Sequence, residues 1–123
     1  MPPQKPLYES LYTEAFNKCF EQYRRTNPRL EKRIRSVINR ILINPKSPQS
    51  HFLQKEKGID LRGKRRRHVS GKYVVIYAVC DECIKLEHQK FNQCSICNGK
   101  PQKRVIFFAI GHWDSIYLKE WGL

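Results

Sequence analysis

Residues 73–79, YVVIYAV, and residues 105–110, VIFFAI, are the two most apolar runs of the chain, and the segment between them, CDECIKLEHQKFNQCSICNGKPQKR, holds four of its five cysteines. Both runs are rich in β-branched and aromatic residues, the composition of strands buried on both faces. They predict two central strands of one sheet. Gly71-Lys72, just before the first run, reads as a tight turn that follows a short basic strand within 58–70. The cysteine segment therefore replaces a plain hairpin connection and staples the ends of two adjacent strands.

Cys80, Cys83, Cys94 and Cys97 stand as C-x2-C, ten residues, C-x2-C. Each pair can wrap a tight turn around one ion, and two such turns close the tetrahedral four-thiolate shell of a zinc site. A closed shell leaves no place for water, so one Zn2+ ion there would be structural and any chemistry would lie elsewhere. The loop 84–93 is too polar to make its own core, which makes 80–97 a zinc-ribbon insertion within a single domain, 1–123. Two disulfides are the other reading, and they need an oxidising compartment. The first residues, MPPQKPLYES, show neither an apolar run nor a cleavage site, so a cytoplasmic setting with free thiolates is expected. His88 lies inside the loop and reads as solvated, because both cysteine pairs are intact. Cys19 falls on the apolar stripe of a predicted helix and reads as a small buried hydrophobe.

Upstream, 7–12 suits a first strand. Thr13 then supplies a helix N-cap, and Phe16, Cys19, Phe20 and Tyr23 follow at helical spacing. A second helix opens at Asn27-Pro28, with Asn as cap and Pro at the first helical position. Its buried stripe is Leu30, Ile34, Val37, Ile38, Ile41 and Leu42, while Arg29, Lys32, Arg33 and Arg40 point outward, until Asn44-Pro45 ends it. Two helices so closely joined run antiparallel and share a face. A polar loop, 46–57, leads into the strands, and the tail 112–123 predicts one short terminal helix. The fold class is α+β: an N-terminal strand and helical hairpin packed on a small antiparallel sheet, with the zinc ribbon inserted between the last two strands.

The chain is long enough for one core, and 40% hydrophobic residues is ordinary for a globular domain. No stretch approaches the roughly 20 apolar residues that span a bilayer. Lys and Arg number 24 against 11 Asp and Glu, a net charge of +13 that self-repels unless a polyanion binds. Nucleic acid is the expected partner; a membrane surface is not, since the chain offers neither a lipidation motif nor an uncommitted amphipathic helix.

Asn44-Pro45, then DLRG at 60–63, then HVSGKYVVIY at 68–77, and finally AIGHWDSIY at 109–117 follow one another in an order that resembles the RelE/ParE toxin superfamily. The resemblance covers nearly the whole chain apart from the cysteine loop, where common members have a short turn. It implies a type II toxin–antitoxin toxin: a metal-independent endoribonuclease, an mRNA interferase that cleaves messenger RNA in the ribosomal A site and is held inactive by a cognate antitoxin. At +13, an acidic antitoxin would fit best. The implied chemistry is attack of a ribose 2′-OH on the adjacent phosphate, which requires a base, an acid and cations at the phosphoryl oxygens.

On that resemblance His112 is the acid or base, Tyr117 matches the closing tyrosine, and Arg65 and Arg67, on one face of their strand, stabilise charge. Arg62, Lys64 and Arg66 would bind RNA, with Trp113 stacking on a base. Val69 and Trp113-Asp114 stand where many members carry arginines. The plainer reading makes 64–67 a solvated basic face, His112 a strand-end histidine, His68 structural or solvent-facing, and His51 a loop residue. Tyr73, Tyr77, Phe107 and Phe108 read as core. ParE-type members inhibit gyrase instead, and a non-catalytic RNA- or ribosome-binding platform is the second functional reading.

Overall fold

The computed structural model describes residues 7–53, 55–56, 59–88 and 99–112. Cys94, Cys97, Trp113 and Tyr117, with the expected terminal helix, lie outside the described residues. Strand β1 (Glu9–Tyr12) leads into helix α1 (Glu14–Thr26), which a single residue, Asn27, joins to α2 (Pro28–Ile43). The chain continues through β2 (Ser50–Phe52), the short ribbon of β3 (Lys55–Glu56) and β4 (Ile59–Asp60), then β5 (Arg65–Ser70) and β6 (Tyr73–Val79). Helix α3 (Cys80–Lys85) and β7 (Arg104–His112) follow among the described residues. No helix among the described residues is long and apolar enough to cross a membrane.

The caps act as their chemistry dictates. Thr13 Oγ1 accepts from the Phe16 N–H at 3.1 Å and Asn27 Oδ1 accepts from the Leu30 N–H at 3.3 Å, each filling an orphan donor of a first turn. The main sheet has the order β1-β7-β6-β5-β2. Three of its four pairings are antiparallel, but β1 runs parallel to β7, so the sheet is mixed rather than antiparallel throughout. A four-residue edge strand carries no sequence mark of its direction. Here Thr13 fixes it: its N–H donates to the Phe107 carbonyl at 3.0 Å and its hydroxyl to the Phe108 carbonyl at 2.8 Å, and the chain departs at once into α1.

Both faces of the sheet are covered. Phe16, Leu30, Ile34, Val37, Ile38 and Ile41 of the helices pack on Val69, Val75, Tyr77, Val79, Val105, Phe107 and Ile110. On the opposite face Leu53 and Leu61 cover Val74, Ile76 and Ala109, while Ala78, Ile106 and Phe108 pack with Leu11 and Cys80. A bulge in β7 makes this possible: Ile76 opposes Ala109 and Tyr77 opposes Phe107, leaving Phe108 as the extra residue. Tyr77, Phe107 and Phe108 are core, as their apolar neighbours imply, while Tyr73 at the start of β6 is half-buried against the core's edge.

Two local expectations differ. The segment after β6 forms one short helix, α3, where the cysteine spacing predicts a tight turn. Its CDECIK sequence suits a helix, with Asp81 and Glu82 in the first turn and Lys85 in the last, each complementing the helix dipole. His88 is half-buried rather than solvated, because its N–H donates to the Cys83 carbonyl at 2.8 Å and draws it against α3.

Candidate functional site

Alternation along β5, RRRHVS, splits its basic residues between two environments. Arg65 and Arg67 face the helices with Val69. Arg65 is 8% exposed: Nε donates to Glu82 Oε2 at 2.9 Å, one terminal nitrogen to Glu82 Oε1 at 2.5 Å, and the other to Ser50 Oγ at 3.0 Å. The Phe52 ring lies 4.0 Å from its guanidinium carbon. Desolvation pulls the Arg65 pKa down, yet the Glu82 carboxylate outweighs it and the net direction is up. Arg67 is buried, donates to Gln49 Oε1 at 2.8 Å, and has its pKa lowered by desolvation with Arg40 adding to it against Tyr77. A phosphate reaching Arg65 would have to displace Glu82. Lys64, read as an RNA contact, is buried with its Nζ 5.0 Å over the Phe108 ring, whereas Arg62 sits half-exposed in the turn before it.

The alternate residues of β5 face the other way. Arg66 and His68, with His51 of β2, Lys72, Gly71 and Val74, line an open hollow of about 260 Å³. Register places His51 directly opposite Arg66, and His68 two residues on, so the two imidazoles are diagonal neighbours, roughly 7 Å apart at Cβ. His68 Nε2 contacts the Gly71 carbonyl. A carbonyl only accepts, so this bond puts the hydrogen on Nε2 and leaves Nδ1 as the lone-pair nitrogen. Among the described residues the lining holds two imidazoles, one guanidinium and one ammonium, and no carboxylate. Such a set can take one proton, give another, and hold negative charge between them.

A second hollow, about 370 Å³, opens across the β5–β6 turn. Arg29 and Arg33 of α2 line it with Lys72, Tyr73 and His112. His112 stands opposite Tyr73 in the β6–β7 ladder, with their rings edge to face at 5.6 Å, and Tyr73 in turn meets Tyr23 of α1 at 5.7 Å. The structure thus brings His112 to the helix side of the sheet and Arg66 to the opposite side, with Gly71 and Lys72 shared between the two hollows. Arg67 lies two strands from β7, about 10 Å in the hydrogen-bonding direction.

Helix α3 is tied down by the two carboxylates between its cysteines. Asp81 accepts from Tyr8 Oη at 3.0 Å and pairs with Lys46 at 3.2 Å, and Glu82 holds Arg65. Both acids are therefore already engaged by these partners. Cys80 and Cys83 stand three residues apart on one side of the helix, Cys80 half-buried and Cys83 buried. Among the described residues no group of three or more metal-ligating side chains stands together, so a four-thiolate site needs Cys94 and Cys97.

His51 and the pairing that makes use of it were not visible in the sequence. β2 is three residues within a polar loop, and only its register against β5 turns His51 toward Arg66. His68 is exposed, as its alternation implied, but it lines a hollow rather than open solvent.

No family model matches the chain, and no curated protein matches it. Among solved structures, a YoeB/ParE toxin from Agrobacterium tumefaciens is similar with a TM-score of 0.59 over 85% of this chain and 96% of that one, at 15% identity. The likeness lies in the architecture: this chain is built on the fold of the YoeB/ParE toxin.

Proposed function

We propose that this protein is an endoribonuclease of the toxin–antitoxin type, cleaving RNA through the His51, Arg66, His68 and Lys72 hollow. The observation that carries the reading is the convergence of two imidazoles and two cations in one open hollow. His68 Nδ1 takes the proton of the ribose 2′-OH as its oxygen attacks the adjacent phosphorus. The bond from phosphorus to O5′ breaks, and a protonated His51 delivers its proton to that oxygen. The products are a 2′,3′-cyclic phosphate and a free 5′-OH. Arg66 and Lys72 hold the charge that grows on the phosphoryl oxygens. Arg65 and Arg67, expected in that role, are committed to Glu82 and Gln49. On the resemblance alone the acid or base would be His112 with Tyr117, and the same assay separates the two assignments.

The substrate in this reading is messenger RNA, engaged on the ribosome, and the natural inhibitor is an acidic antitoxin that covers the cationic hollows. Cys80 and Cys83, with Cys94 and Cys97, would hold one structural Zn2+ ion; the all-thiolate donor set suits zinc, and the ion would fix α3 and the loop after it. The test incubates the protein with messenger RNA and ribosomes, with and without EDTA, and maps RNA 5′ ends. The reading expects A-site cleavage in EDTA that survives His112→Ala and disappears in His68→Ala. Loss in His112→Ala alone moves the chemistry to β7. Tight ribosome binding with intact RNA favours the non-catalytic platform.

A further inference from the structure

We infer that the hollow at the α1–α2 turn is a second phosphate-binding subsite, which takes the backbone of the same single-stranded RNA that enters the histidine hollow. The inference rests on the RNA-cleavage reading and extends its binding surface across the sheet edge. Arg29 and Arg33 stand one helical turn apart on α2, a like-charge pair at i and i+4 that destabilises an isolated helix. Three other helical cations have a carboxylate within reach, Arg35 with Glu31 at 2.7 Å, Lys18 with Glu14 at 3.3 Å and Arg24 with Glu21 at 3.6 Å. Among the described residues no carboxylate pairs with Arg29 or Arg33, and none lines their hollow. An anion bound there relieves the repulsion.

The neighbouring geometry identifies the anion as the phosphodiester chain already in the histidine hollow. Gly71 and Lys72 line both hollows, so the two are separated only by the β5–β6 turn. Gly71 has a φ of 55° and nothing within 4 Å of where a Cβ would project, which leaves the crossing unobstructed. Arg66 and Lys72 on one side, Arg29 and Arg33 on the other, then make a cationic track around that turn. Lys72 serves both hollows and sets the register between the phosphate held for cleavage and the one held by α2. His112 and Tyr73 supply ring surfaces at the far end for an unstacked base.

The test is fluorescence anisotropy with a labelled oligouridylate of roughly 12 nucleotides, within the range that one binding fold covers. Four phosphate contacts on a single strand give a slope of log Kobs against log salt near about −2.8. The Arg29→Ala/Arg33→Ala variant is expected to reduce that slope by about 1.4 and to raise Kd about 25-fold at about 0.1 M salt. Arg29→Lys/Arg33→Lys keeps the slope. Lys100→Ala/Lys103→Ala removes the same charge at the opposite end of β7 and changes both quantities far less. An unchanged slope in the arginine-to-alanine variant overturns the subsite, as does an equal loss in the lysine control, which would show a diffuse effect of net charge. Failure of the cleavage reading is distinguishable: a wild-type protein that shows this binding pattern but leaves RNA intact keeps the subsite and loses the enzyme. One that cleaves without the pattern does the reverse.

Discussion

Replacing Glu82 by Gln should be the most destabilising single exchange of a polar side chain in this fold. The two side chains of the Arg65–Glu82 pair are each 10% exposed, and two of the guanidinium's nitrogens donate to that one carboxylate. Glu82→Gln keeps the volume and one acceptor oxygen but leaves a guanidinium charge buried against Phe52 and Ser50 with no counter-charge. Breaking one partner of a buried pair costs about 3–5 kcal/mol, whereas removing both for apolar residues of similar size is often neutral. The expected series in urea is therefore a large drop in midpoint for Glu82→Gln, a similar drop for Arg65→Met, and recovery of most of the loss in Arg65→Met/Glu82→Leu. The slope of free energy against urea should stay constant. A Glu82→Gln cost under about 1 kcal/mol, in the range of exposed ion pairs, would refute the claim that this pair is buried and structural.

Burial raises the Tyr77 pKa above its ordinary value of 10.0, so the unfolded chain ionises at a lower pH than the folded one. The stability so contributed is complete below about pH 10 and falls as pH rises toward the folded pKa; Tyr77→Phe should flatten that alkaline loss, while costing about 1 kcal/mol at neutral pH through the lost bond to the Pro45 carbonyl. An unchanged alkaline limb in urea melts at several pH values would contradict it. Thr13→Ala removes both the α1 cap and the bond to the β7 bulge, and should lower stability by about 1–2 kcal/mol in thermal melts. Zinc removal by a chelator, or Cys83→Ser, should lower the melting temperature with loss of one metal ion per chain by mass spectrometry; a metal-free protein that melts unchanged would remove zinc from the account.

Much of the fold is legible because single side chains punctuate it. Thr13, Asn27-Pro28 and Asn44 mark the helices to within a residue, and the continuous apolar runs mark β6 and β7. Direction and register are not local properties. β1 is too short to declare itself parallel, and β2 hides in a polar loop until β5 pairs with it. The same limit governs the site. Strand alternation correctly separates Arg65 and Arg67 from Arg66 and His68, but sequence cannot say which face the helices cover. That face decides which arginines are buried against the helices and which line the hollow on the opposite side.

The most direct measurement is to treat RNA with the wild-type protein and with His51→Ala and His68→Ala, and to identify the new 3′ ends by mass spectrometry. The account predicts 2′,3′-cyclic phosphate ends from the wild type and a fall of roughly 10²–10⁴ in rate for each variant, the usual worth of a general acid or base. Cleavage that persists at the wild-type rate in His51→Ala/His68→Ala, or RNA left intact by the wild type, would contradict it.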